Sequence, residues 1–438
     1  MDRSLHPSCL IATFSNTMRI QNKFSIHDDL LFGLSRSFDF QYDMTKLPLS
    51  GETHTFWGTN LDAYIKLATA LKFKYIVVSV DENNFMDELK LRLATHGSVV
   101  VEVSIKEYLD IIFQTDLNEF FDVVMESNTN HTINVTRIDD EVHFLDNYSL
   151  NPLTMDIDQF MKSVFPKDEA IIPSRGRIHC FDVTSIDQEV GKTKLLECIR
   201  SNMQTFLYST NTYTGMRALR RFHKEIELMF KEDDIDKRKR NIYMFQLSCS
   251  KAGSGSFYRI NYLRFLKKIR TSFSNSEELD KVQNIYSELH HMWKKFNVLI
   301  KGLLEEQNIN NELYYQDIEN HLESIIQSEK LGSELLLEFS LRNMELLQFS
   351  NEESDLSWEF TNVNCALYFE KMNLDYQFKF TNVLSDVKND YVHYKNKAEV
   401  FMVDYELEKL VPYDDDYDSN HDNQQTYHYF IVHALEAG

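Results

Sequence analysis

The spacing of apolar positions changes several times along the first 183 residues, and each change predicts an element. Leu10-Ile11-Ala12-Thr13-Phe14-Ser15-Asn16-Thr17-Met18-Arg19 follows a helix-breaking Leu5-His6-Pro7 lead-in and reads as a partly buried helix opening at Cys9. Leu61 to Leu71 has helical spacing. Tyr75 to Val80 and Ser98 to Val103 are β-branched runs with a helical segment, Asn83 to His96, between them. Pro166, Pro173 and Gly176 punctuate a linker before a last strand, Ile178 to Val183. From about Asp187 to Phe349 the period is helical throughout. An α+β chain follows, with a sheet-containing domain over 1–183, an α-helical domain over 184–349 and a small α/β region over 350–438.

Composition narrows the class. In 438 residues, 43% are hydrophobic and only 12 are Gly and 6 Pro, which excludes disordered and collagen-like chains. No apolar stretch approaches the roughly 20 residues of a membrane helix, and no secretory segment follows Met1, so a cytoplasmic protein with no membrane partner is expected. The five cysteines, Cys9, Cys180, Cys198, Cys249 and Cys365, are odd in number and widely spaced, as for reduced thiols. A net charge of −22 argues against nucleic acid as a partner. The region from 351 carries 18 acidic residues against 6 lysines, more than half of that charge.

The placement of Cys9 brings in chemistry. A thiol at a helix N-terminus is exposed to unpaired backbone N–H groups, which favour thiolate and can also stabilise an oxyanion. An isolated cysteine is more often a small apolar filler, so a partner decides. Asn130 to Ile138 and Glu141 to Tyr148 alternate around Asp139-Asp140 and read as a β-hairpin. With a two- or four-residue turn, Ile138 faces Glu141, Ile133 faces Asp146 and His131 faces Tyr148. His131 and Asp146 then become diagonal neighbours on one face, roughly 7 to 8 Å apart at the backbone. A three-residue loop would put them on opposite faces and leave Asn147 as the substitute orienter. In this scheme His131 takes the Cys9 proton and later returns it, while Asp146 fixes the imidazole tautomer. His143 falls on the other face.

These residues resemble the N-terminal domain of the butirosin biosynthesis protein H family. The likeness lies in His6-Pro7-Ser8-Cys9 with its helix, Asp29-Leu30-Leu31-Phe32-Gly33-Leu34, Phe38-Asp39-Phe40-Gln41-Tyr42 and the His131–Asp146 hairpin with its continuation to Met155. Ser35-Arg36-Ser37 stands where that family commonly has glycines. Tyr213 to Phe222, Lys251 to Leu266 and Trp293 resemble the helical domain that follows, so about residues 5 to 305 are covered. The resemblance implies a papain-like, cysteine-peptidase-like first domain. It also implies an acyltransferase of natural-product biosynthesis, with an acyl or aminoacyl group passing from a carrier-protein thioester through acyl-Cys9 to a small amine. Phosphopantetheine is then carried by the donor, an acyl carrier protein or peptidyl carrier domain, with no cofactor or metal bound to this chain. Two other readings stay open: a cysteine peptidase or amide or thioester hydrolase, and an inactive papain-like binding scaffold.

Papain-like enzymes commonly place a glutamine several residues before the cysteine, where this chain has Arg3, Ser4 and His6. Gln21 lies on the wrong side of the helix. The Cys9 backbone N–H is the first candidate oxyanion donor, with the side chain of Ser8, His6 or Arg3 as the second. An acidic carrier needs a local basic surface. Lys237-Arg238-Lys239-Arg240 is a compact candidate, and Arg259, Arg264, Lys267, Lys268 and Arg270 lie along a second predicted helix. Val190-Gly191-Lys192-Thr193 lacks the first glycine of a P-loop, with Ile186 in its place. Lys251 to Ser256 reads as a turn leading into a helix. Tyr258, Tyr262 and Phe265 form a helical stripe expected in the core. Asp414 to Asp418 is an acidic loop without the glycine and distal Glu of a calcium loop.

Overall fold

The structure, a computed structural model, describes residues 4–348 except 23–25, 48–50, 60–61, 113–129, 168–175, 185, 187–189, 210, 232–233, 274–275 and 310, and beyond these 380–381, 399–404, 409–412 and 429–432. The fold is α+β. Helices α1 (Cys9–Asn22) and α2 (Asp28–Leu34) precede a long hairpin, β1 (Phe38–Leu47) and β2 (Gly51–Thr59). Then come α3 (Ala63–Leu71), β3 (Lys74–Ser79), α4 (Phe85–His96), β4 (Val99–Ser104), α5 (Ile105–Ile112), β5 (Asn130–Ile138), β6 (Glu141–Leu145), β7 (Leu153–Asp156), α6 (Ile157–Val164) and β8 (Arg177–Asp182).

Six of these strands form one antiparallel sheet in the order β3-β8-β4-β5-β6-β7. Strands β3 and β4 both run antiparallel to β8 and hence parallel to each other, so α4 serves as the crossover that parallel strands require. Strand β4 is buried on both faces, which explains its unbroken Val99-Val100-Val101 run. The one charge on it, Glu102, must then be compensated. It accepts from Arg177 at 3.2 Å and meets His179 Nε2 at 2.9 Å.

The chain turns helical after β8, with α7 (Lys192–Tyr208), α8 (Gly215–Phe230), α9 (Ile235–Gln246), a π-helical turn (Leu247–Ala252), α10 (Arg259–Ile269), α11 (Glu277–Gly302), the short α12 (Glu306–Ile309) and α13 (Glu312–Gln348). The hydrophobic core does not divide where the sheet ends. One sheet face packs on α4 and α6 through Ile76, Val101, Ile133, Phe85 and Phe160. The other face, through Tyr75, Val100 and Phe181, joins a core that runs through α1 and the hairpin into the helices. Phe40 of β1 stacks on Trp293 at 5.6 Å and Phe38 packs on Phe206 at 4.9 Å, so the hairpin is built into the helical half. Arg36 has φ of 51°, in the left-handed region that a non-glycine residue seldom adopts.

Beyond the helices a four-stranded sheet, β9 (Phe380–Thr381), β10 (Glu399–Asp404), β11 (Lys409–Pro412) and β12 (Tyr429–Val432), is ordered β11-β10-β12-β9. Cys365 and the acidic loop at Asp414 to Asp418 lie outside the described residues. No helix among the described residues is long and apolar enough to cross a membrane.

The Arg259 guanidinium joins the two halves. It is wholly buried, and it donates to Glu329 Oε1 at 2.6 Å, to the Asp39 carbonyl at 2.6 Å and to the Phe257 carbonyl at 2.8 Å. Trp293 Nε1 donates to the same Glu329 oxygen at 2.8 Å. Removing one member of such a pair strands the other charge. Glu329→Ala should therefore lower unfolding free energy by about 3–5 kcal/mol, measured as a shift in the urea midpoint.

Candidate active site

Cys9 is the first residue of α1, and Ala12 is the first residue whose N–H reaches back along the helix, to the Ser8 carbonyl at 3.0 Å. The Cys9, Leu10 and Ile11 N–H groups therefore have no intrahelical acceptor. Helix α1 packs on β5, where Asn134 Nδ2 donates to Thr17 Oγ1 at 2.8 Å. Thr132 and Asn134 face the helix, while Ile133 and Val135 enter the opposite core. At the start of β5 the Cys9 thiol meets both the His131 ring and the Thr132 hydroxyl and N–H. The other side of the His131 ring is held by Asp146, Nε2 to Oδ2 at 2.5 Å, which leaves Nδ1 as the nitrogen that serves the thiol. Asp146 is fully buried, and its second oxygen accepts the Tyr148 N–H at 2.6 Å.

The hairpin reaches this register by an unexpected route. Ile138 pairs with Val142 and Arg137 with His143, so the loop has three residues, the length that on its own would separate His131 from Asp146. A β-bulge at Thr136 shifts the pairing back by one, and Asn134 then faces Leu145. The two irregularities cancel. Asn147 is consequently not the orienter; its Nδ2 donates to the His6 carbonyl at 3.2 Å and ties the helix lead-in to the hairpin. His143 pairs with Asp139 at 2.9 Å, away from the thiol.

Electrostatics favour an ion pair. Burial by itself would lower the basicity of His131, but the Asp146 charge and hydrogen bond outweigh it, and with Cys9 they push the imidazole up to about 10. Burial works against the Cys9 thiolate too. It is overcome by the His131 hydrogen bond and charge and by the Thr132 donors, which hold the thiol below its ordinary value. Tyr108 and Tyr148 flank the imidazole, each with ring centroids 5.6 Å away.

Other candidate residues fall differently. His6 is buried, with Nδ1 accepting the Ser8 N–H at 3.1 Å and Nε2 against the Asn261 amide at 3.2 Å. Both ring nitrogens are spent on bracing the helix lead-in. Burial lowers this ring to about 4, so it stays neutral, and it is not a free oxyanion donor. Ser8 is buried beside it, and Arg3 lies outside the described residues. Gln21 pins the far end of α1 to β8, donating to the Phe181 carbonyl at 2.8 Å. The Lys237-Arg238-Lys239-Arg240 run does not form one surface. Four consecutive residues wrap around α9, and Arg238 is 8% exposed. Arg264, Lys267 and Lys268 instead share one exposed face of α10.

Three residues near the thiol carry no local signal that marks them. Thr132 is notable only as the neighbour of His131. Tyr64 reaches from α3 to Thr13 Oγ1 at 2.6 Å and to Thr132 Oγ1 at 3.5 Å. Tyr258 lies in the core with Tyr262 and Phe265, as expected, and also where the charges of Cys9 and Tyr148 act on its phenol. It caps α10 with φ of 63°, after Phe257 with φ of 45°. Two successive left-handed non-glycine residues cost about 1–3 kcal/mol each. Gly253 starts this turn, where a Cβ would stand 2.4 Å from the Ser248 carbonyl oxygen.

A family model described as a domain of unknown function (DUF4872) matches residues 167–336, which is the last sheet strand and most of the helical half. No curated protein matches the chain.

The ion pair has a measurable signature. Iodoacetamide should alkylate Cys9 at a plateau rate extending below the pH of an ordinary thiol, and the rate should fall as acid protonates the thiolate. Asp146→Asn should move that limb to higher pH, because the imidazolium loses its counter-charge. An unshifted limb in Asp146→Asn would count against the assignment.

Proposed function

We propose that the chain is a cysteine-dependent acyltransferase that moves an acyl or aminoacyl group from a carrier-bound thioester to an amine. The observation that carries the reading is the buried His131 held between the Asp146 carboxylate and the Cys9 thiol at a helix N-terminus. It supports nucleophilic acyl chemistry on a papain-like domain. The resemblance read from the sequence adds the thioester donor and the amine acceptor.

The cycle follows from the proton inventory. Thiolate Cys9 attacks the thioester carbonyl, and collapse of the adduct breaks the bond to the pantetheine sulfur, which takes the proton of His131. Acyl-Cys9 and neutral His131 remain. An amine then attacks the acyl carbon and gives its proton to His131, and Cys9 departs as thiolate, which restores the ion pair.

The phosphopantetheine arm belongs to the donor, so the chain must hold the carrier near the thiol. Arg264, Lys267 and Lys268 are suited to an acidic carrier, because the charge of Arg264 acts on His6 and on His290 of α11, and that of Lys268 on Asp29 of α2. They flank the lead-in to α1, whereas the α9 run is split by the burial of Arg238.

Incubation with acyl-pantetheine should give an acyl adduct by intact-protein mass spectrometry, absent in Cys9→Ala and released faster by amines than by water. Adduct formation from peptides instead would favour a peptidase. No adduct from any donor would favour a binding scaffold. The double variant Lys267→Glu/Lys268→Glu should lower kcat/KM for a carrier-bound donor about 10-fold while leaving acyl-pantetheine turnover unchanged.

A further inference from the structure

We propose that Tyr108 is a positioning residue whose hydroxyl supports the Asp146 carboxylate once His131 has passed its proton on. The inference rests on the acyl-transfer reading above and deepens it by naming what balances Asp146 in the acyl-Cys9 state.

Tyr108 lies in α5 and is wholly buried. Along β5, His131 has the parity of Ile133 and Val135, whose side chains enter the core that also holds Tyr108. The Tyr108 ring accordingly stacks on the imidazole, with centroids 5.6 Å apart and planes 24° from parallel, and Phe144 packs on it at 5.7 Å.

Its hydroxyl makes no hydrogen bond among the described residues, although a buried phenol O–H normally has an acceptor. Asp146, bonded to the very ring on which Tyr108 stacks, has acceptor capacity to spare. Its buried carboxylate meets His131 Nε2 through Oδ2 and the Tyr148 N–H through Oδ1, whereas a carboxylate can accept about four bonds. Burial, with the Asp146 charge, holds the phenol well above its ordinary value, so the O–H stays a donor at any pH where the thiolate reacts.

Other polar groups fit less well. The Asn147 amide donates to the His6 carbonyl. Tyr148 is 46% exposed and already serves Asp146 through its backbone. Tyr262, also without a partner for its hydroxyl, is in the helical core against Phe38 and Tyr286.

In the resting ion pair the imidazolium itself balances Asp146, and a further donor adds little. During acylation the Cys9 sulfur bonds to the carbonyl carbon, the bond to the pantetheine sulfur breaks, and that sulfur takes the Nδ1 proton of His131. Neutral His131 keeps its Nε2–H on Asp146, but the buried carboxylate has lost its counter-charge. A hydrogen bond from the Tyr108 O–H offsets that loss and so eases proton release. When the incoming amine gives a proton to Nδ1, the imidazolium balances Asp146 again. Tyr108 keeps its own proton throughout.

Tyr108→Phe preserves the ring and its stacking and removes only the O–H. Single-turnover acylation by acyl-pantetheine should slow about 10-fold. Alkylation by iodoacetamide, in which His131 retains its proton, should stay at the wild-type rate. The alkylated protein supplies a second readout, because it leaves His131 with Asp146 and no thiolate. There the His131 titration, followed by NMR of the ring, should move up by about one pH unit in Tyr108→Phe, since a carboxylate short of a donor favours the imidazolium. Acylation at the wild-type rate or an unmoved titration would overturn the proposal, as would equal losses of acylation and alkylation, which mark a structural residue. Wild-type protein acylated by no thioester would remove the acyl-transfer reading, while the titration shift would still identify Tyr108 as the donor to Asp146.

Discussion

The buried guanidinium of Arg259 is the constraint around which the molecule is arranged. A cation buried this deeply must be met by acceptors. Those acceptors come from Glu329 on α13, Asp39 on β1 and Phe257 in the turn before α10. Phe38 lies against it at 4.4 Å, and Trp293 shares its carboxylate. The hairpin of the first half and the long helices of the second are thereby fixed to one another by directional bonds as well as by apolar packing. Such directionality selects one arrangement among many that would bury similar area.

The same contact accounts for the strained turn. The Phe257 carbonyl is held by Arg259, and β2 approaches this backbone so closely that a Cβ on Gly58 would stand 2.8 Å from the Phe257 Cα. The cost of two left-handed residues is thus offset by contacts elsewhere, and the Tyr258 ring is set against Phe32 of α2. The helical region thereby packs against the residues around the start of α1, with the Asn261 amide on His6 at 3.2 Å and the Tyr258 ring on Phe32 at 5.7 Å.

At the thiol itself, position depends on small compensations. The three-residue loop at 139–141 and the bulge at Thr136 shift the strand pairing by one residue in opposite senses. The loop alone would have turned Asp146 away from His131. Asn147 then links the hairpin to the residues before Cys9, so helix and hairpin are located relative to each other through backbone carbonyls. Thr132 and Tyr64 continue this support behind the sulfur.

Much of this was legible in the chain. Periodicity located α1, α4, β3, β4 and β8, because hydrophobic spacing is a local consequence of which face is buried. Cys9, His131 and Asp146 could be grouped because two of them share a hairpin and the third opens a helix. Their grouping nevertheless depended on a bulge that no local pattern announces. Tertiary structure alone decided that His6 braces a helix, that Arg238 is buried within a run of four cations, that Thr132 faces the sulfur and that Tyr258 opens α10 in a left-handed conformation. The physical reason is common to all four. Sequence periodicity reports the direction of side chains along one element, whereas these roles depend on contacts between elements distant in the chain, and Tyr258 further depends on a backbone conformation that its own residue type disfavours.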